Sequence, residues 1–422
     1  MKTAPRPLLM ALVATATLQS CDPPAPAPTS GAPNTLDPSA RPAIAAERLT
    51  STELAFNPLF GVDPGAEVVI SAEGDVFVAQ WQDGTIQVID EAGEVTHTIG
   101  RSGEGPGEFI LLSAIWLAGD TLVATDRQLM RVNSFATDGR FLDSRTWVAD
   151  FESWSVEESG TLVIHTPGSP PSAILANGLA LVSTNWMVRP PQVPSDPGAR
   201  RDGFRSPLLT MDEHGRIVDT LGWQEIYGTQ FAMTRDGRHF RIEVPFQREV
   251  HTAVVPGGGG VIVLREDDAA GPSVLVTRIG PAADTVVSRT YSYTPAPLTD
   301  DLFRRALSET EVGEMFPMQG GERGGVPESA EFEGPVRRAG VLPGTLPAVT
   351  SLVVGQDESI WLRREEQEGE FARWTVLDGT GEVVGVVTLP RRQEVVAVRG
   401  AVMVAVEEDE LERASLVRYR VG

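Results

Sequence analysis

From Val68 onward, apolar residues come in short runs separated by turns rich in Gly and Asp. Alternation of this length between tight turns reads as antiparallel strands. The first set is Val68–Ser71, Val76–Gln80, Thr85–Asp90 and Val95–Gly100, with turns at Ala72–Asp75, Trp81–Gly84 and Glu91–Glu94. Four strands in about 33 residues is the size of one β-propeller blade. The stretch Gly100–Phe109 then leads into a second set: Ala114–Leu117, Thr121–Thr125, Met130–Phe135 and Phe141–Trp147. It therefore reads as a connector between repeat units and sets the phase of the pattern.

The same pattern predicts a third set at Phe151–Val156, Thr161–His165, Pro207–Met211 and Ile217–Leu221. A fourth follows at Val250–Val255, Val261–Leu264, Ser273–Ile279 and Thr285–Tyr291, and a fifth at Thr350–Val354, Ser359–Leu362, Phe371–Leu377 and Val383–Leu389. The last set holds only three strands: Val395–Val398, Ala401–Val406 and Ala414–Val421. Its missing outer strand can come from Arg48–Phe56, which would close the ring and leave no open edge there. The expected fold is all-β, a six-bladed β-propeller of four-stranded antiparallel blades with one helical insertion.

In such a blade the turns between strands one and two, and three and four, lie on one face of the disc. Turns between strands two and three, and the connectors between blades, lie on the other. The first group is uniformly short. All long insertions fall in the second group, near 166–206, 222–248 and 294–348. Functional loops gather at one end of rigid scaffolds, so the insertion-bearing face is the expected binding face. In the third insertion Thr299 can cap a helix, Asp300 and Asp301 suit its N-terminus, and Leu302, Phe303 and Leu307 form an apolar stripe.

Composition narrows the function. Of 422 residues, 35 are Lys or Arg and 58 are Asp or Glu, a formal charge of −23. A surface this acidic repels phosphate backbones, so nucleic acid is not an expected partner. Lys occurs once, at Lys2, which leaves no lysine for a Schiff base or a phosphate-binding loop in a chain processed beyond it. Cys also occurs once, at Cys21, so no intramolecular disulfide is possible.

The N-terminus reads as a targeting segment. Lys2 and Arg6 precede an apolar run, Pro7–Leu18, that is too short for the ~20 residues of a membrane span. Leu18-Gln19-Ser20-Cys21 resembles a bacterial lipobox, although Gln19 departs from the usual small or aliphatic residue. The resemblance implies a signal peptide over 1–20, cleavage before Cys21 and lipidation of its sulfur. Residues 21–44 are rich in Pro and Ala and read as an extended tether, able to reach roughly 70 Å at ~3.1 Å per residue. The propeller is expected over 45–422, in a monomer held at the extracytoplasmic side of a membrane.

Two motifs carry a family resemblance: Gly103-x-Gly105-Pro106-Gly107-Glu108-Phe109, and Asp126-Arg127-x-x-x-Arg131-Val132. They are similar to NHL-type repeats, and the chain as a whole resembles the bacterial six-bladed β-propeller lipoproteins. The resemblance implies fold and address more than activity, and it implies no particular cofactor.

Candidate site residues follow from the phase. Arg101, Glu104 and Glu108 of the connector, with Trp81, Asp126 and Arg127, fall on the insertion-bearing side. Trp186, Arg189, Trp223 and Tyr227 lie in or beside the insertions, where aromatic and Arg side chains could recognise a protein, peptide or glycan. His165, His239 and His251 fall at the same face and could converge on a metal, which would make the protein a propeller hydrolase or lyase. A structural envelope scaffold is a third reading. No G-x-S-x-G, H-E-x-x-H or calcium-loop motif is present.

Overall fold

Strand side chains point alternately to opposite faces, and here both faces are buried. Val76 and Val78 pack toward the last blade, whereas Phe77 and Ala79, their neighbours in sequence, pack toward the second. This is why the strands read as nearly continuous apolar runs. A computed structural model describes residues 34–37, 41–55, 67–150, 171–183, 205–225, 230–235, 238–248, 250–267, 271–315, 326–364, 369–409, 411 and 413–422.

The first strand, β1 (Ala46–Glu53), belongs to the last blade. Blade one holds β2 (Val68–Ile70), β3 (Val76–Gln80), β4 (Thr85–Ile89) and β5 (Val95–Ile99). Blade two holds β6 (Leu112–Ala118), β7 (Thr121–Asp126), β8 (Arg131–Ala136) and β9 (Phe141–Thr146). Blade three holds β10 (Ala173–Ile174), β11 (Ala180–Ser183), β12 (Arg205–Met211) and β13 (Ile217–Glu225). After a hairpin of β14 (Gln230–Arg235) and β15 (Arg238–Glu243), blade four holds β16 (His251–Val254), β17 (Val261–Asp267), β18 (Ser273–Ile279) and β19 (Thr285–Ser292). Next come α1 (Asp300–Glu309), β20 (Gly313–Met315) and α2 (Glu333–Ala339). Blade five holds β21 (Ser351–Val354), β22 (Ile360–Arg364), β23 (Phe371–Leu377) and β24 (Val383–Pro390). Blade six is β25 (Gln393–Arg399), β26 (Val402–Glu408), β27 (Ala414–Val421) and then β1 as its outer strand.

The protein is thus a six-bladed propeller of four-stranded antiparallel blades. Ring closure shows in the packing. One buried cluster lies at each of the six blade-to-blade interfaces, including Val404 and Val406 of blade six against Val76 and Val78 of blade one. Strand β1 pairs antiparallel with β27 from Ala46↔Val421 to Glu53↔Ser415. This is the closure that the three-stranded last set called for.

Blade three departs from the expected register. Its two inner strands are β10 and β11, inside the segment read as an insertion over 166–206. Their turn, Leu175–Leu179, carries Asn177-Gly178, with Gly178 at φ +80° and the Asn177 side chain accepting from the Leu179 amide at 3.1 Å. Asn-Gly is a strong hairpin signal, but the paired strands are only two and four residues long and stand out less than the alternation at Phe151–Val156. The strands expected at Phe151–Val156 and Thr161–His165 lie outside the described residues.

The tether reading also changes. Residues from Asn34 onward already touch the propeller. Leu36 is fully buried between blades four and five, its amide donating to Ser292 O at 2.9 Å. Asp37 accepts from the Thr294 amide at 3.0 Å, and Arg364 donates to Leu36 O at 2.7 Å. Ala43 bridges Val386 on the outer strand of blade five. The segment thus adds itself to the outer edges of blades four and five before forming the outer strand of blade six. Edge coverage of this kind removes templates for unwanted pairing.

The short-turn face keeps its turns tight by a repeated device. Asp90, Asp212 and Asp378 each accept, through Oδ1, from the amides two and four residues later, at 2.9–3.0 Å. A carboxylate so engaged replaces backbone partners that a longer loop would otherwise supply.

On the opposite face two insertions fold together. β14 and β15 come from the connector between blades three and four; α1, β20 and α2 come from the connector between blades four and five. β15 pairs with β14 on one side and β20 on the other. Phe231, Phe240 and Ile242 from the hairpin bury against Phe303, Leu307, Phe332 and Val336 from the second insertion, forming a core separate from those of the blades. Arg235 holds Glu331 through two bonds at 2.8 and 2.9 Å. Helix α1 starts as expected, Thr299 Oγ1 accepting from the Leu302 amide at 3.3 Å. Helix α2 was not expected, because Gly334-Pro335 reads as a breaker; in the first turn of a helix, however, Pro costs nothing.

Candidate functional site

The connector residues are occupied within the fold. The Phe109 ring is fully buried and packs on Gly100, whose φ of +76° leaves no room for a Cβ. Asp126, also fully buried, accepts from the amides of Ile110 (2.6 Å), Leu111 (3.3 Å), Gln128 (2.8 Å) and Leu129 (2.7 Å). Arg131 donates to the carbonyls of Glu104, Gly105 and Glu108 at 2.9, 2.9 and 3.2 Å. The Gly105 amide and the Arg101 guanidinium hold the Glu108 carboxyl below its ordinary value. The Asp126…Arg131 motif is therefore a clamp on the Gly-rich stretch, and both its acidic and basic groups are spent on backbone. Glu104 has its side chain exposed. Trp81 and Arg127 lie in the turns between strands two and three of blades one and two, on the insertion-bearing face.

His165, Trp186, Arg189 and Tyr227 lie outside the described residues, and Trp223 is placed in β13 by its backbone pairing with Pro207. His239 is an exposed residue of β15, its Nδ1 2.9 Å from Thr234 Oγ1. His251 begins β16, half-buried, with Nε2 3.2 Å from Val349 O. Among the described residues no three His, Cys, Asp or Glu side chains gather as a metal-binding group.

His251 nevertheless stands at a concavity. A cleft of about 680 Å³ lies on the insertion-bearing face, between the inner-strand starts of blades four and five and the co-folded insertions. His251, Val349 and Thr350 form its floor; Arg241 and Glu243 of β15 and Glu309 and Glu311 at the end of α1 form its walls. Phe246, also in the wall, has φ +62°, a left-handed conformation that an aromatic residue seldom adopts. The Thr350 hydroxyl oxygen is buried without a hydrogen-bond partner. Arg391, between blades five and six, is close enough to feel the charges of Arg305 and Glu309; burial is the main cause that pulls its guanidinium below the ordinary value.

Beneath the cleft a buried network fixes the end of the second insertion. Glu266 accepts from Arg248 Nε at 3.0 Å, from Tyr293 OH at 3.1 Å and from the Ala348 amide at 2.5 Å. Burial raises the Glu266 carboxyl above its usual value, against these partners. Burial likewise lowers the His251 imidazole, with the Val349 carbonyl opposing. The signs give a pH prediction. Below about 6.5, the ordinary imidazole value, the unfolded chain protonates His251 before the folded chain does, so stability falls as pH drops through this range. Glu266 acts in the opposite sense: its contribution is full below 4.5 and declines as pH rises through the raised value. Urea midpoints between pH 7.5 and roughly 5.5 should fall less steeply for His251→Gln than for the parent.

Sequence reading did not single out Arg241, Glu243, Glu309 or Glu311. A signal for the first two existed: Phe231 and Met233, then Phe240 and Ile242, alternate around Asp236-Gly237, a hairpin signature. For the two glutamates no local signal existed, since they become site residues only when α1 docks beside β15.

Comparison with known proteins agrees with the architecture. A sequence family described as a 6-bladed beta-propeller matches residues 67–157. No curated protein matches the chain in sequence. Among solved structures, a member of the DUF4221 family from Bacteroides vulgatus is 10% identical, with 90% of this chain and 98% of that one covered at a TM-score of 0.43. The PQQ-bound aldose sugar dehydrogenase of Streptomyces coelicolor is 14% identical, with coverage of 90% and 100% and a TM-score of 0.36. Virginiamycin B lyase from Staphylococcus aureus is 11% identical, with coverage of 89% and 99% and a TM-score of 0.31.

Proposed function

We propose that the protein is a lipid-anchored, extracytoplasmic propeller that binds a peptide or an amino-bearing glycan in the cleft of its insertion-bearing face. The observation that carries this reading is the co-folding of two separate insertions into one wall of a 680 Å³ cleft. A structural cap needs no second hairpin and no strained Phe246. The cleft mixes a cation, Arg241, with carboxylates at Glu243, Glu309 and Glu311, which suits a ligand bearing both charges. Anchoring rests on the lipobox at Cys21. Asn34, the first described residue that docks, follows 13 residues later, a stretch that measures at most ~45 Å when fully extended.

The test is calorimetry of the purified protein against a muropeptide digest and a short-peptide library. One-to-one binding is expected, weakened at least about tenfold in Arg241→Glu or Glu309→Arg and unchanged in Arg101→Ala. Binding that survives both cleft variants, or that is lost with Arg101, places the site elsewhere. Labelled palmitate incorporated by the parent and not by Cys21→Ser would establish the anchor.

A further inference from the structure

The innermost strand of each blade is an edge strand, paired on one side only, and the six such edges surround the ring axis. A chamber of about 360 Å³ lies there, sharing no lining residue with the cleft among the described residues. Every blade contributes to its wall: Val69, Trp116, Ala173, Ala253, Val353 and Ala397 represent blades one to six. Pro256, Gly257 and Gln356 also line it, and these belong to the turns between first and second strands. The chamber therefore reaches the short-turn face, opposite the insertions.

Its chemistry is unusual for this chain. The protein has 58 carboxylate side chains and 35 basic ones, yet among the described residues no side chain lining the chamber is ionisable. The polar side chains there are Ser172, Thr252 and Gln356, and Gln356 Oε1 already accepts from the Ile70 amide at 3.1 Å. A charged ligand would lose its hydration with no counter-charge to replace it. The volume falls at the small end of the ~300–1,000 Å³ range of small-molecule sites.

We propose that the axial chamber is a second binding site, for a neutral, largely apolar small molecule, entered from the short-turn face and independent of the cleft. The probe is prodan, a neutral naphthalene bearing a single ketone, with naphthalene sulfonate as its anionic counterpart. Saturable one-to-one binding of prodan with blue-shifted emission is expected, with the sulfonate at least ~tenfold weaker. Ala253→Phe fills the chamber and should abolish binding while leaving the circular dichroism spectrum unchanged; if that variant fails to fold, Val353→Met is the smaller enlargement. Glu309→Arg, in the cleft, should leave prodan binding intact. Absence of saturable binding to the folded parent, equal affinity for the sulfonate, or full binding by the folded, chamber-filled variant would each overturn the proposal.

Discussion

A chain lacking residues 1–54 is expected to lose cooperative folding altogether, when measured against a chain that begins at Asn34. The deletion removes β1 and leaves β27 as an open edge along its length. It also removes Leu36 and Leu54, which are 0% and 5% exposed and fill the interfaces between blades four and five and between blades six and one. Emptying a buried leucine site costs about 2–5 kcal/mol, so the two together cost roughly 4–10 kcal/mol before the lost strand pairing is counted. That is comparable to the whole stability of an ordinary domain, about 5–15 kcal/mol. Thermal melting by circular dichroism should show no cooperative transition, and size-exclusion chromatography should show aggregates. A synthetic peptide spanning 34–55, added during refolding, should restore part of the transition. A truncated chain that melts within a few degrees of its reference would show that the ring does not depend on this strand.

The second large effect is at Asp126. Asp126→Ala is expected to destabilise the protein by about 3–5 kcal/mol, because four backbone amides lose a charged acceptor inside the fold and each orphaned donor costs ~1–3 kcal/mol with incomplete additivity. The melting temperature should fall by roughly 5–10 °C. Hydrogen exchange should rise at Ile110, Leu111, Gln128 and Leu129 before it rises elsewhere. Glu104→Ala, an exposed side chain in the same stretch, should change stability by less than about 0.5 kcal/mol. Equal effects from the two substitutions would mean that Asp126 is not the clamp.

Asp126 also shows how much of a site can be read before the fold is known. As an acidic residue beside Arg127 on the insertion-bearing face, it reads as a recognition group. In the structure its oxygens are consumed by the loop they hold. The sequence shows which residues are polar and on which face they fall; it does not show whether a polar group has already been satisfied. The cleft illustrates the converse. Arg241 and Glu309 are ordinary surface residues in sequence, 68 positions apart, and they face one space only because β15 and α1 share a core through Phe240 and Phe303.

By itself, then, the sequence determined the strand units, the phase of the turns, the six-fold count and the closure by an N-terminal strand. These are encoded locally: side-chain alternation and turn chemistry act over four to seven residues, and repetition multiplies the signal. Only the tertiary structure decided the inner strands of blade three, the docking of Leu36, the joining of two insertions into one module and the contrast between a charged cleft and an apolar axial chamber. Each of these depends on which distant segments meet, and burial between them is paid by shape and apolar area that no local pattern records.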